Sequence, residues 1–324
     1  MTILYKYMPV IDNYLDNPTI KLSPPILLND PFEAQETESV INYIYEKFKD
    51  EYKIPDLKSS KYKDRRQRVI LTRAPMRVIK SSGIFSLSES NRSLLMWAHY
   101  ADQHKGMVIG LEDNFLADNK NNNIPPRLIY SPNPIKVNYD TIRFDVSEFH
   151  HSEPNLESVS KLLAMKMLIT KSDDWLYEKE YRSILPIAMA DEIRFKGVVA
   201  DLSYQLEMHR KDHDFTIDFR RKNKPVHINP EIEMTNVLYQ RMSASEHFTF
   251  LKRINPKKIQ SIYFGVRAKE KDILNVIDSI NRNIDQLGHI RLYRYSLSNQ
   301  QFTLLKEEID WRDEIETYNL FLNS

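Results

Sequence analysis

The sequence predicts an α+β fold, a mixed and largely antiparallel sheet flanked by helices. Three observations point there. Short apolar runs of strand length recur at residues 3–7, 84–87, 108–111 and 259–264. Stretches of helical period separate them, at 38–48, 156–168 and 269–286. The two kinds of element mix without strict βαβ alternation. None of the six glycines falls in the spacing of a P-loop or a Rossmann turn, which sets those two nucleotide folds aside.

In chain order, residues 3–7 form the first strand. The Asn29-Asp30-Pro31 turn follows, where short polar side chains bond nearby backbone and proline fixes a dihedral, so Asn29 and Asp30 shape the loop. After the helix at 38–48, residues 51–80 carry ten Lys/Arg against three acidic residues. Arg65, Arg66 and Arg68 are the nucleic-acid contacts this implies, unless the segment is a solvated helix balanced by the acidic C-terminal tail.

The stretch at 83–112 organises the rest. It runs from a buried strand through Ser-Glu-Ser-Asn-Arg-Ser turn chemistry into a helix, capped by Asn91 or Ser93 and stopped at Gly106, then back to a strand. On that helix Trp97, Tyr100 and His104 form one stripe, with Met96, His99 and Gln103 beside it. The stripes frame a planar ligand or are core aromatics with polar tips. Residues 128–130 and 135–139 read as a hairpin through Ser-Pro-Asn-Pro, and the second half of 171–185 reads as a strand. The pattern weakens over 191–230, with a hairpin near 215–219. Residues 231–250 read as helix, and 290–295 and 302–305 as strands. The chain divides into a main α+β domain at 1–268, with an insertion at 191–230, and a C-terminal helix, strand and acidic tail at 269–324 on the same domain.

Composition bounds the partners. With 324 residues, 41% hydrophobic and 28% charged, the chain is long enough to bury a substantial core. A net charge of +1 argues neither for nor against nucleic acid. The absence of cysteine removes disulfides, thiolate metal sites and cysteine nucleophiles, and fits a cytoplasmic protein. No apolar run has membrane-spanning length. No metal is expected, because His99 and His104 are five apart, off one helical face, and His150-His151 lacks a carboxylate partner.

The strongest chemical signal is Glu178-Lys179-Glu180 with Arg182. Period two puts both carboxylates and the guanidinium on one strand face, where they pair or serve a ligand. Such a carboxylate can stabilise an oxocarbenium-like sugar, and the competing account is an ion pair at a sheet edge.

Leu-Tyr-Lys-Tyr at 4–7, Asn-Asp-Pro-Phe-Glu at 29–33, Met-Trp-Ala-His-Tyr-Ala at 96–101 and Trp175 with Glu178, Glu180 and Arg182 resemble a bacterial and archaeal domain family of unknown function. A second resemblance is to ADP-ribosyltransferases, through Lys6-Tyr7, Ser86-Leu87-Ser88 and Glu178-Lys179-Glu180 in that order. It implies NAD as substrate and an ADP-ribosyltransferase-like fold. Glu180 would hold the nicotinamide ribose as nicotinamide leaves. Glu178 would serve the acceptor, Ser86 would brace the glutamate, and Tyr100 or Tyr7 would stack on nicotinamide. Lys6, Ser88, Trp97, His99 and Arg182 complete the expected cofactor-binding set. Lys6 stands where the arginine-using enzymes have Arg. The resemblance implies a toxin or anti-phage defence effector acting on nucleic acid or protein. The alternative is a non-catalytic module that recognises nucleic acid or a protein partner.

Overall fold

A computed structural model of the chain describes residues 2–55, 61–116, 124–145, 149, 154–196, 226–228 and 236–312. The hairpin expected near 215–219, Lys58, His150, His151, the basic group at 220–224 and the acidic residues after 312 lie outside them.

The strands are β1 (Ile3–Met8), β2 (Thr19–Lys21), β3 (Ser82–Ser88), β4 (Met107–Glu112), β5 (Ser131–Lys136), β6 (Asn138–Asp140) and β7 (Thr170–Ser172). They continue with β8 (Glu180–Pro186), β9 (Glu192–Phe195), β10 (Val226–Ile228), β11 (Phe248–Arg253), β12 (Ile259–Phe264), β13 (Arg291–Leu297) and β14 (Leu304–Ile309). The helices are α1 (Glu38–Phe48), α2 (Tyr62–Thr72), α3 (Ala74–Lys80), α4 (Leu94–Tyr100), α5 (Leu156–Leu168), α6 (Asn236–Ser243), α7 (Glu270–Arg282) and α8 (Ile284–Leu287). The fold class is α+β.

Among the described residues the larger sheet has the order β14-β13-β12-β4-β1-β3-β8-β5. Its pairs are antiparallel except β12 with β13, whose connection runs through α7 and α8. A second sheet, β10-β9-β11-β2, packs its apolar residues into the same core, where Leu22, Ile193 and Phe250 meet Leu185, Ile187 and Leu111. The helix α7 buries Ile273, Val276, Ile277 and Ile280, the face its spacing predicts. Each such side chain gains roughly 1.5–3 kcal/mol on leaving water.

Several boundaries differ from the expectations, for local reasons. Ser-Pro-Asn-Pro is strand β5 itself, paired to β8 at the sheet edge, so the hairpin expected at 128–139 does not form. An edge strand tolerates proline because its outward N–H groups need no partner. The helix expected over 231–250 gives way to β11, because Phe248 and Phe250 alternate into the core. The helix expected over 269–286 breaks at Asn283 into α7 and α8.

The site depends on how α4 ends. Ser93 caps it by accepting the Met96 N–H. It stops at Tyr100, well before Gly106, because Asp102, Gln103 and His104 are all left-handed, with φ of 45°, 53° and 69°. A right-handed helix cannot continue through them. Backbone hydrogen bonds close this turn, donated by the His104 N–H to the Trp97 carbonyl at 3.1 Å and by the Gly106 N–H to the Ala101 carbonyl at 2.8 Å. Gly265, just past β12, packs against it: a Cβ there would sit 2.1 Å from the His104 carbonyl oxygen and 3.0 Å from the Trp97 ring. The Gly265→Ala variant is therefore expected to lose about 1–3 kcal/mol of stability, the usual penalty of overpacking. Urea unfolding checks this, and an unchanged midpoint would show that the turn has room to spare.

Candidate active site

Three neighbouring strands and two loops enclose a cavity of about 240 Å³. β1 contributes Lys6 and Tyr7, β3 contributes Ser86 and Ser88, and β8 contributes Glu180 and Arg182. Lys21, Asn29 and Glu33 come from the N-terminal region, Tyr100 from α4, and Lys171 and Glu178 from the segment leading into β8. β1 and β3 are neighbours, as are β3 and β8, with Ser86 directly opposite Arg182 and Ser88 opposite Glu180.

The segment at 171–185 is not one strand. Residues Asp173–Glu178 form a single 3-10 helix, Lys179 is left-handed at φ 46°, and the strand begins only at Glu180. Both carboxylates nevertheless line the cavity, Glu178 from the end of the helical turn and Glu180 from the strand. The bend at Lys179 replaces the period-two geometry expected from the spacing.

Arg182 is fully buried, and carboxylates surround it. Its Nε donates to Glu180 Oε1 and its Nη2 to Glu180 Oε2, both at 2.9 Å. The same Nη2 donates to Glu33 Oε1 at 2.6 Å, and Nη1 to the Leu168 carbonyl at 2.6 Å. Lys171 Nζ lies 2.6 Å from Glu178 Oε2, 3.5 Å from Glu180 and 3.6 Å from Glu33. Its ammonium also sits 4.5 Å from the centre of the Trp175 ring. Tyr100 donates its phenolic hydrogen to Glu178 Oε1 at 2.6 Å and accepts from Asn29 Nδ2 at 3.3 Å.

Glu180 and Glu33 are shifted in opposite directions. Burial alone would raise the pKa of Glu180, but Arg182 and then Lys171, with hydrogen bonds from Arg182 and Ser86, bring it down to about 2. At Glu33 burial wins and the pKa is raised despite Arg182. Its Oε2 is buried without a hydrogen-bond partner, an oxygen that tolerates a proton better than a charge. Glu178 is held by Tyr100 and Lys171. Among the cations, Lys171 is raised, since the pull of Glu180 and Glu178 outweighs burial. Lys6 goes the other way: burial lowers it to about 8, with Glu180 and Lys21 acting in opposite directions.

The structure gathers most of the expected residues and separates a few. Lys6, Tyr7, Ser86, Ser88, Tyr100, Glu178, Glu180, Arg182 and Asn29 line the cavity; Trp97, His99 and Asp30 do not. Trp97 is fully buried, its indole N–H bonded to the Asn91 carbonyl at 2.9 Å and its ring packed edge-on to Tyr7 and Tyr295. His99 is exposed and lies 6.1 Å from the Tyr177 ring. Asp30 accepts the Phe32 N–H at 2.9 Å, closing the turn before Glu33. Tyr7 donates to the Ser90 carbonyl and Ser88 to the Glu178 carbonyl, so both hydroxyls bind backbone. Arg65 and Arg66 are exposed on α2, away from the cavity lining, and Arg68 is half-buried. Two members of the ionic cluster went unrecognised in the sequence, Glu33 and Lys171. Glu33 ends the Asn-Asp-Pro-Phe-Glu motif, so a signal existed. Lys171 had none beyond its place at the head of the 171–185 segment.

The site is a half-open cavity in an α+β protein, lined by a buried ionic cluster in which Arg182 and Lys171 hold Glu180 ionised. The model of a family described as protein of unknown function (DUF2971) matches residues 96–183. That span covers α4 through the first half of β8, and so includes Tyr100, Lys171, Glu178, Glu180 and Arg182. No curated protein and no solved structure matches the chain. Among the described residues, no group of three or more His, Asp or Glu side chains is placed to hold a metal ion. No helix among them is long and apolar enough to cross a membrane.

The network sets a pH dependence whose sign is fixed. Glu180 falls from its ordinary 4.5 to about 2 on folding, so its stabilisation is complete above pH 4.5 and lost as pH falls toward 2. Arg182→Met strands the buried Glu180 charge, and should cost about 3–5 kcal/mol at neutral pH. It should also flatten the acid limb of the stability curve, because Glu180 then has no depressed pKa to lose. Denaturant unfolding between pH 7 and pH 2 tests both, and an equally steep acid limb in the variant would assign that limb to other carboxylates.

Proposed function

We propose that the chain is an NAD-consuming enzyme, an ADP-ribosyltransferase or NAD glycohydrolase, and that this cavity takes the nicotinamide-ribosyl end of the dinucleotide. The observation that carries the reading is the convergence of Lys6, Ser86 and Glu180, remote in sequence, on one cavity from the adjacent strands β1, β3 and β8. That is the order and neighbourhood the resemblance implies. At about 240 Å³ the cavity is smaller than the roughly 300–1,000 Å³ of sites that enclose a drug-sized ligand. It suits the reacting nucleoside end, with the rest of the dinucleotide outside.

The chemistry asked of Glu180 is electrostatic. Breaking the bond between ribose and nicotinamide makes the ribose electron-poor, and a fixed negative charge lowers the energy of that state. Arg182 keeps Glu180 ionised and oriented. Oε2 also accepts from Lys171 at 3.5 Å and Ser86 bonds the same carboxylate, so the ribose 2′-hydroxyl would take the place of one of these two weaker contacts. Glu178, between Tyr100 and Lys171, is placed to take a proton from an acceptor or a water. Lys21, exposed at the cavity, suits the diphosphate. An anionic acceptor fits the exposed Arg65 and Arg66 of α2.

Release of nicotinamide from NAD by the purified protein tests this directly. Glu180→Gln should lower it at least roughly 100-fold, the scale of losing a transition-state charge contact, while circular dichroism reports an unchanged fold. Wild-type protein without release, or a folded Glu180→Gln variant with full release, would remove the reading.

A further inference from the structure

Two lysines line the same cavity and meet opposite fates. Lys171 has glutamate oxygens at 2.6, 3.5 and 3.6 Å and is a locked ammonium. Lys6 is a half-buried residue of the sheet's centre, and its Nζ makes a single hydrogen bond, to the Ser86 carbonyl at 2.9 Å. No carboxylate pairs with it among the described residues. Its charged neighbours are Lys21 from β2, which repels, and Glu178 and Glu180, which attract; Glu33, Lys171 and Arg182 line the same cavity. The other protonatable groups on its walls are the phenols of Tyr5, Tyr7 and Tyr100. An amine removed from water, unpaired by a carboxylate and set beside a second cation is the arrangement that makes lysine a nucleophile.

We propose that Lys6 is a reactive amine that takes up a small aldehyde or ketone bearing an anionic group, forming a Schiff base while Lys21 holds the anion. The neutral Nζ attacks the carbonyl carbon, giving a carbinolamine. The carbonyl oxygen then leaves as water with both amine hydrogens, and a carbon–nitrogen double bond remains. Lowering of the Lys6 pKa to about 8 leaves a useful neutral fraction near neutrality, while an ordinary lysine at 10.5 has almost none. Lys21 makes no ion pair among the described residues, and the cavity admits a compact carbonyl compound. The activity needs no dinucleotide and stands whether or not the NAD reading does.

Pyridoxal 5′-phosphate with borohydride trapping tests it on the intact chain, read by peptide mass spectrometry. Lys6 should label roughly 200-fold faster than exposed lysines near pH 7.5, as the ratio of neutral fractions dictates, with a rate inflecting near pH 8. Lys171, in the same cavity, should stay unlabelled. In Lys21→Met the inflection should move to higher pH and labelling should slow, because a repelling cation and the anion's partner are both gone. Labelling of Lys6 no faster than surface lysines, or an inflection near the ordinary lysine value, would overturn the proposal. So would a Lys21→Met protein that labels like the wild type.

Discussion

The buried guanidinium of Arg182 is the constraint on which the cavity depends. Removing an ion from water costs several kcal/mol even after the protein relaxes, so a fully buried arginine survives only where acceptors meet nearly all its donors. Here Glu180 takes two of its N–H groups side by side, Glu33 a third and the Leu168 carbonyl a fourth. Those acceptors come from three separate parts of the chain: β8 itself, the loop before α1, and the last turn of α5. The guanidinium therefore ties the N-terminal loop and α5 to the central sheet, and the cavity is the space left between them. Electrostatics, rather than apolar packing, sets where these walls stand.

The same burial then sorts every other ionisable group by its neighbours. Lys171 sits among three carboxylates and stays charged, whereas Lys6, on β1 of the larger sheet, has only a carbonyl and is pushed toward neutrality. Glu180 is held ionised and Glu33 is pushed toward its neutral acid. Like residue types with opposite protonation behaviour, a few side chains apart, are the pattern by which acid and base roles are divided in enzymes. A stability network alone has no need of it, since replacing a buried ion cluster with well-packed apolar side chains is often neutral or stabilising.

How much of this was legible in the sequence follows from how local each signal is. The strands at 3–7, 84–87 and 259–264 and the apolar face of α7 could be read because period and burial coincide within a few residues. Glu180 and Arg182 were legible for the same reason, while Glu178 joins them through the turn at Lys179 and not by strand period. Glu33 is 149 residues from Arg182, and Lys171 meets its glutamates only because the chain turns through a 3-10 helix and the left-handed Lys179. Local spacing does not pair such partners, although Glu33 was marked by its place in the Asn-Asp-Pro-Phe-Glu motif. Trp97 took the second of its two sequence readings, a core aromatic with its polar tip bonded. Its stripe was visible and its direction was not, because rotation of α4 toward Tyr7 and Tyr295 is decided by the three left-handed residues after Tyr100. Only Gly265 leaves space for that turn.

A carboxylate clamped by arginine is a poor general base, since its proton affinity has been spent on the ion pair. For a step that creates positive charge on carbon, the same clamp is an advantage. The charge is present before the reaction, cannot be lost to a proton at any physiological pH, and needs no reorganisation as the bond breaks. On the proposed reading, proton transfer would fall to groups outside this clamp: Glu178 accepts the Tyr100 hydroxyl, and Lys6 is lowered to about 8. The ionised carboxylate of Glu180 thus stands on β8 and the lowered amine of Lys6 on β1, with β3 between them.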